Sequence, residues 1–405
     1  MEKIRVGIFG LRRGTSFIDE IRYNGGEIVA VCEKDTEYLQ SIRDRIGCAS
    51  VYTDFDEFLK HPMDAVILAN FFPEHAEYAI KCLGKNINVL SECISNGTMA
   101  EGVRLCEAAE KSEAIYMLAE NYPFMDFNRE MKRVYEGGTL GKIYYAEGEY
   151  NHPMDWYDTK AVLSIRPYEK HWRNFLPRSY YLTHSLAPIM SATGSFPKRV
   201  TAMPVYAPLP EDCPTASHVA DVASIITILN DDGSVFKVTG CSAFGAHWNS
   251  YRLCCERGQI ENVRGTDKIM LRYNDWQIPE GREAVNFYTP DLQDEDSEQI
   301  KNAGHGGGDF LVIKAFFESI RTGKPHQFDV YFATALSSVA ILAHRSIMEE
   351  NHPFDVPDFR KKEDRDAYRE DTLSPFWLSD GTPPSYPCCS NPDYLPSQWQ
   401  LENYR

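Results

Sequence analysis

The turn Gly7-Ile8-Phe9-Gly10-Leu11-Arg12-Arg13-Gly14-Thr15 is the first stretch whose residue types and spacing suggest chemistry. It joins a β-rich run to a helical one, the context in which a dinucleotide fingerprint occurs. Counted from Gly10, the G-x-G-x-x-G pattern asks for glycines at 10, 12 and 15. Here glycines stand at 10 and 14, with Arg12 and Thr15 in the other slots. A side chain in the second slot ordinarily obstructs the pyrophosphate. Arg12, with Arg13 beside it, can instead swing out and pair with that diphosphate. The turn alone fits a nucleotide cradle or a bare structural turn. Glu33 adds to the first reading, because it closes the second β-rich run roughly 20 residues beyond Gly10, where an acid accepts adenosine-ribose hydroxyls. A carboxylate there repels a 2′-phosphate, so NAD is expected over NADP; the alternative is an ordinary surface glutamate. Asn70-Phe71-Phe72-Pro73-Glu74-His75 follows a third such run, which puts Asn70 and His75 on the same carboxyl edge.

The elements that must position these groups read as alternating strands and helices. Strands are expected at residues 3–9, 27–32, 65–69, 88–91 and 115–118. Helices are expected at 16–23, 36–46 (with Asp35 as N-cap), 74–83 and 98–109, the last opened by a Thr98…Glu101 capping box. Strands separated by helices mean βαβ units and a doubly wound parallel sheet. Beyond Tyr122 the texture changes. A helix at 126–136 ends at Gly137-Gly138, and β-rich runs follow at 142–150, 198–204, 223–229, 235–241 and 251–256. Turn signals such as Asp231-Asp232-Gly233 between them suggest an antiparallel, hairpin-built sheet. Two helices follow, one opened by Asp309 as a candidate N-cap and ended by Gly323, the other at 332–348. The expected fold class is thus α/β: a Rossmann domain over 1–123, a second α/β domain with a large open antiparallel sheet over 124–350, and a surface-packed extended tail over 351–405 anchored by Trp377 and Trp399.

Bulk composition narrows the partners. With 42 basic against 59 acidic residues the net charge is −17, which argues against a nucleic-acid backbone as ligand. No apolar run approaches ~18 residues, so no membrane span is expected. The opening MEKIRVGIFG enters a strand at once, with no signal-peptide pattern, and the 11 cysteines show no CxxC pair and no zinc spacing. A cytoplasmic protein with reduced thiols and no metal is expected.

Several segments resemble the Gfo/Idh/MocA oxidoreductase superfamily in order and spacing over about residues 3–350: Ser91-Glu92-Cys93-Ile94, MLAENYPF at 117–124, and GTLGKIYYAEGEYNH at 138–152. Glu120-Asn121-Tyr122, Trp172-Arg173-Asn174, Tyr181-Leu182-Thr183-His184-Ser185-Leu186-Ala187-Pro188 and His305-Gly306-Gly307-Gly308-Asp309-Phe310 look closest to the branch of the family 109, NAD-dependent glycosidases. The resemblance implies a cleft active site with the nicotinamide facing the second sheet, and His75, Glu92 and Asn121 lining the cofactor. Many dehydrogenase members read Glu-Lys-Pro where Glu92-Cys93-Ile94 stands, so the lysine acid/base is missing here, as it is in the glycosidase branch. A homo-oligomer, dimer or tetramer, built through the open sheet is also expected.

A hydride leaving a sugar carbinol carbon requires a group that takes the hydroxyl proton, and a near-neutral pKa suits it. His184 is the leading candidate, with Tyr181 one turn earlier if the segment is helical; the bland alternative is a satisfied histidine at a helix start. His152, Trp172, Arg173, His305 and Asp309 are candidates for sugar contact, with Trp156 and Trp172 for stacking on a pyranose face. In family 109 the route is transient C3 oxidation, elimination of the aglycone and return of the hydride. Three readings stay open: redox-neutral glycoside cleavage, net oxidation of a free sugar, inositol or glycoside, and a non-enzymatic nucleotide or sugar sensor.

Overall fold

A computed structural model describes residues 2–48 and 50–404. The chain forms two compact units. The first holds Met1–Met125, Gln293–Thr334 and Asp358–Thr372; the second holds Asp126–Leu292, Ala335–Pro357 and Leu373–Arg405.

In the first unit, β1 (Ile4–Phe9), β2 (Gly26–Cys32), β3 (Val51–Tyr52), β4 (Ala65–Leu68), β5 (Asn88–Ser91) and β6 (Tyr116–Leu118) form a six-stranded sheet in the order β3-β2-β1-β4-β5-β6. Every pairing in it is parallel. All four residues of β4 are buried, as expected for a strand covered on both faces. The two caps legible in the sequence form. Asp35 accepts the Tyr38 N–H at 3.0 Å, and Thr98 and Glu101 close a capping box. The order reverses between β1 and β4, so the turns after these strands face the crevice where dinucleotides bind in such sheets.

The segment Gln293–Thr334 joins this unit although it follows the second sheet in the chain. Its helix Gly308–Thr322 buries Phe310, Ile313, Phe316 and Phe317, and the Phe310 ring meets Tyr23 edge-on at 5.8 Å. The helix starts at Gly307, with no side-chain cap. Asp309, expected to cap it, lies one position inside the helix and spends its carboxylate on an arginine instead. A charge-assisted pair outweighs an N-cap in the interior.

The second unit carries β7 (Ile143–Asn151), β8 (Pro197–Tyr206), β9 (Asp221–Asn230), β10 (Val235–Ser242), β11 (Trp248–Cys255), β12 (Gly258–Asn262), β13 (Ile269–Tyr273), β14 (Val285–Tyr288) and β15 (Phe354–Asp355). They form one nine-stranded sheet, ordered β14-β13-β12-β11-β7-β10-β9-β8-β15. It is antiparallel except for the β7–β10 pair, which is parallel. Strands β12 to β14 were not expected from the sequence. They are short, and their mixed polar composition gives no clear alternation.

The tail is not uniformly extended. Its β15 pairs with β8 and forms the edge of the sheet, residues Lys362–Tyr368 form a helix in the first unit, and Gln398–Asn403 form another with a Ser397/Gln400 capping box. Phe376 is its fully buried aromatic anchor. Trp377 is half-buried and Trp399 is exposed, so only the first of the two expected tryptophans packs as anticipated. The 19-residue helix Val330–Met348 is long and apolar enough to cross a bilayer, yet 83% of its most apolar window is buried in protein, the pattern of a core helix.

Candidate functional site

Gly10 sits at φ +85°, and a Cβ there would lie 2.3 Å from the Ala69 carbonyl oxygen, so the β1 turn accepts only glycine. Gly14 takes the close-packing role, since its Cβ would fall 2.5 Å from the Ile8 side chain. Two of the three fingerprint glycine roles are thus served at positions 10 and 14, over a short helical turn Leu11–Gly14. Arg12 is exposed. It pairs with Asp35 at 3.0 Å, and its guanidinium lies 4.6 Å from the centre of the Tyr38 ring. Glu33 ends at the same turn: its carboxylate accepts the Leu11 N–H at 2.8 Å and the Asp35 N–H at 3.1 Å. The acid expected to meet the ribose therefore also ties the turn to β2.

Arg13 turns inward. It meets Glu92 at 2.6 Å and grips Asp309 with both terminal nitrogens, at 2.9 and 2.7 Å. Asp309 also accepts from Asn121 Nδ2 at 2.8 Å and lies 2.9 Å from His305 Nδ1. Its side chain is only 1% exposed. Burial would raise this carboxyl, but hydrogen bonds from Arg13 and His305 outweigh it and hold the group well below the usual carboxylate range. The close approach of Gly308 to the Asn121 carbonyl, where a Cβ would stand 2.5 Å away, brings the two segments together. His305 and Asp309, read from the sequence as sugar contacts, thus lie with Arg13, Glu92 and Asn121 in one network of the first unit, with Asp309 and Asn121 buried and His305 at its exposed rim.

Asn70 Oδ1, His75 Nε2 and Asn121 Oδ1 are among the buried side-chain atoms of this unit with no hydrogen-bond partner among the described residues. His75 Nδ1 is 2.8 Å from the Ile94 carbonyl, an assignment that puts the proton on Nδ1 and leaves Nε2 a lone-pair acceptor. Burial lowers its pKa and keeps the ring neutral. All three follow the carboxyl ends of β4 and β6. Unsatisfied buried acceptors call for a donor, and NAD offers donors in its ribose hydroxyls and carboxamide. The residues fit the cofactor.

The Glu33 geometry gives a first test. Glu33→Ala is expected to weaken NAD by about tenfold or more, because a charged acceptor is lost from the Leu11 amide. It should also bring the NAD and NADP affinities together. Calorimetric titration with both dinucleotides checks this, and an unchanged preference would refute the ribose role.

In the second unit the helix Thr183–Thr193 follows the 3-10 turn Arg178–Tyr181, so Tyr181 and His184 stand one turn apart. Two glycines on neighbouring strands let this backbone lie on the sheet. A Cβ at Gly148 of β7 would be 2.0 Å from the Ser185 carbonyl, and one at Gly240 of β10 would be 1.9 Å from that of Arg178. Ser185 Oγ completes the seat by donating to the Thr239 carbonyl at 2.5 Å. The His184 ring is buried, with Tyr181 5.1 Å and Tyr150 5.0 Å away, both edge-on, and the Tyr251 hydroxyl donates to its carbonyl. His152 sits 5.6 Å from Tyr150 and 4.5 Å from His247. Trp172 is buried, with the Arg173 guanidinium 4.3 Å from its ring centre. Sequence reasoning missed Tyr150 and His247. Tyr150 had a signal: Gly148 and Tyr150 share one face of β7 by strand alternation, and His152 follows just past the strand's end.

Residues 4–120 match the oxidoreductase family, NAD-binding Rossmann fold, and residues 267–365 match the glycosyl hydrolase 109 C-terminal domain. A glycosyl hydrolase family 109 protein of Shewanella pealeana is 22% identical over 396 residues, covering 89% of this chain and 86% of its own. One from Phocaeicola vulgatus is 23% identical over 407 residues, covering 89% and 85%. Among solved structures, levoglucosan dehydrogenase with NADH and levoglucosan aligns with a TM-score of 0.73 at 17% identity, over 88% of this chain and all of that one. Myo-inositol 2-dehydrogenase from Lactobacillus plantarum gives 0.67 at 17% identity, with 88% and 100% covered. With its parallel sheet, its glycine turn and its buried acceptors, the stretch 4–120 is an NAD-binding Rossmann fold of the oxidoreductase family, and the chain as a whole is similar to glycosyl hydrolase family 109 proteins.

Proposed function

We propose that this protein oxidises a secondary hydroxyl of a sugar or glycoside, and that on a glycoside the oxidation is transient. The observation that carries the reading is the buried imidazole of His184, fixed by the rings of Tyr150 and Tyr181. An acid/base group must be held in one orientation to work, and the two tyrosine contacts on the sheet face do this. Bound NAD supplies the hydride acceptor. Gly10, Glu33, Asn70, His75 and Asn121 are the residues that would hold it, with Arg13 and Glu92 bracing the network behind them. His184 takes the proton from the sugar hydroxyl, with Tyr181 beside it. Oxidation at C3 makes the C2 proton acidic, so elimination can expel the aglycone; water then adds and the ketone is reduced again. The sum is hydrolysis without net redox change, which agrees with Cys93 standing where a catalytic lysine would serve a simple dehydrogenase.

The experiment is a screen of aryl glycosides and free sugars with catalytic NAD, following aglycone release and the reduced-nicotinamide absorbance together. Aglycone release without lasting build-up of that band is expected. Steady build-up in proportion to substrate would show net oxidation, the activity named for the levoglucosan and myo-inositol enzymes that share the fold. Neither signal with any sugar would refute both and favour a sensor.

A further inference from the structure

Three arginines gather in the second unit in a protein with a net charge of −17, and none of them forms an ion pair among the described residues. Arg166 is 6% exposed. Its guanidinium lies 4.6 Å from the centre of the Trp156 ring, one terminal nitrogen donates to Asn174 Oδ1 at 3.0 Å, and its Nε has no hydrogen-bond partner. Arg178 is 7% exposed and gives its Nε to the Asp221 carbonyl at 2.9 Å. The Asp221 carboxylate is held by Ser390, at 2.8 Å from the amide and 2.5 Å from the hydroxyl; it makes no ion-pair contact with Arg178 but lies near enough to attract its charge. Arg173 is half-buried. Burial, followed by repulsion from Arg178 and Arg173, pushes Arg166 down to about 9, which still leaves it charged near neutral pH.

Arg166 is the buried cation with no carboxylate acting on it, and such a charge is costly unless a ligand brings the opposite one. Arginine is suited to oxyanions because its planar fork donates two parallel hydrogen bonds. The surroundings are built rather than incidental. Asn174 is held by the Tyr168 and Glu169 carbonyls at 3.2 and 3.0 Å and by the Tyr404 hydroxyl at 2.8 Å, and that hydroxyl donates to the Arg166 carbonyl at 2.8 Å. The tail thus closes over the backbone that carries Arg166.

We propose that Arg166, with Arg173 and Arg178, forms an oxyanion subsite, and that the sugar substrate carries an acidic substituent: a uronate carboxylate or a sulfate or phosphate ester. The inference rests on the second unit being the sugar-binding one, and it narrows the proposed substrate class to acidic sugars.

The test measures the thermal midpoint of the full chain, with NAD present, in glucuronate, galacturonate, sulfate and phosphate at matched ionic strength. Glucose, galactose and chloride are the comparisons. The acidic ligands are expected to bind about tenfold or more tighter than their neutral counterparts. Arg166→Gln should abolish the difference, and Arg166→Lys should keep part of it. NAD titration of each variant reports folding. If Arg166→Gln fails to fold, Arg173→Gln must reduce the preference. A larger gain with the uronates than with sulfate and phosphate identifies a carboxylate substituent; the reverse identifies an ester. Acidic ligands no better than neutral ones, or a gain that survives in the arginine variants as for an adventitious ion only, would overturn the subsite. This inference and the proposed function fail separately. Anion binding with no change in nicotinamide absorbance on any sugar removes the oxidoreductase reading alone. Turnover of neutral sugars without anion preference removes the subsite alone.

Discussion

Replacing His184 by alanine is expected to slow turnover by ~10²–10⁴-fold and leave NAD affinity unchanged. The size follows from the loss of a general base. The selectivity follows from where the residues lie: His184 belongs to the second unit, while the glycine turn, Glu33 and the buried acceptors belong to the first. The ring is packed against two tyrosines, so alanine also leaves a gap. His184→Gln fills most of that volume without a titrating nitrogen and should be as slow. Single-turnover assays on the substrate found by the screen, with dinucleotide titration alongside, measure both quantities. Cys93→Ala should be mild, because a buried thiol beside Glu92 has no proton-transfer duty in this scheme. Near-normal turnover in His184→Ala would move the proton to Tyr181 or His305. A large loss in Cys93→Ala would mean that the substituted lysine position still does chemistry.

The second large effect is on stability. Asp309→Ala is expected to destabilise the protein by about 3 kcal/mol, the lower end of the cost of removing one partner from a buried ion pair. The lower end applies because the Arg13 side chain is 28% exposed and water can reach it. Glu92 still faces Arg13 in the variant, while Asn121 and His305 lose their acceptor. Asp309→Asn keeps the shape and loses the charge, and should fall between wild type and alanine. The pH dependence has a definite sign. The folded-state pKa of Asp309 is depressed, so its contribution is fully present above the unfolded carboxyl value of ~3.9 and is lost as pH falls through the folded value. Urea midpoints measured from neutral to acid pH should show a steeper acid decline in wild type than in Asp309→Asn. Parallel curves would mean that the carboxylate contributes no net charge stabilisation.

Local chemistry was legible before any coordinates. The strand–helix alternation of the first unit, Asp35 as N-cap, the Thr98–Glu101 capping box and the Gly10 turn each depend on residues within a few positions of one another. Glu33 could be placed because a strand of known rise carries it to the sheet edge. Tyr181 and His184 could be paired because one helical turn relates them.

The amino-acid sequence alone therefore determined the Rossmann half, its nucleotide turn and the candidate acid/base pair, all short-range features whose signals survive in a linear string. Only the tertiary structure decided what depends on chain return. Arg13 and Asp309 are 296 positions apart, so nothing local could show that Asp309 braces an arginine rather than capping its helix. Tyr150 and His247 reach the His184 cluster through strand order, and the parallel β7–β10 pairing follows from a crossover invisible to hairpin signals. The return of Gln293–Thr334 and Asp358–Thr372 to the first unit, and the burial of Arg166 without a carboxylate, were likewise settled by packing. A side chain's partner is set by which apolar faces must be covered, and that is a property of the folded chain as a whole.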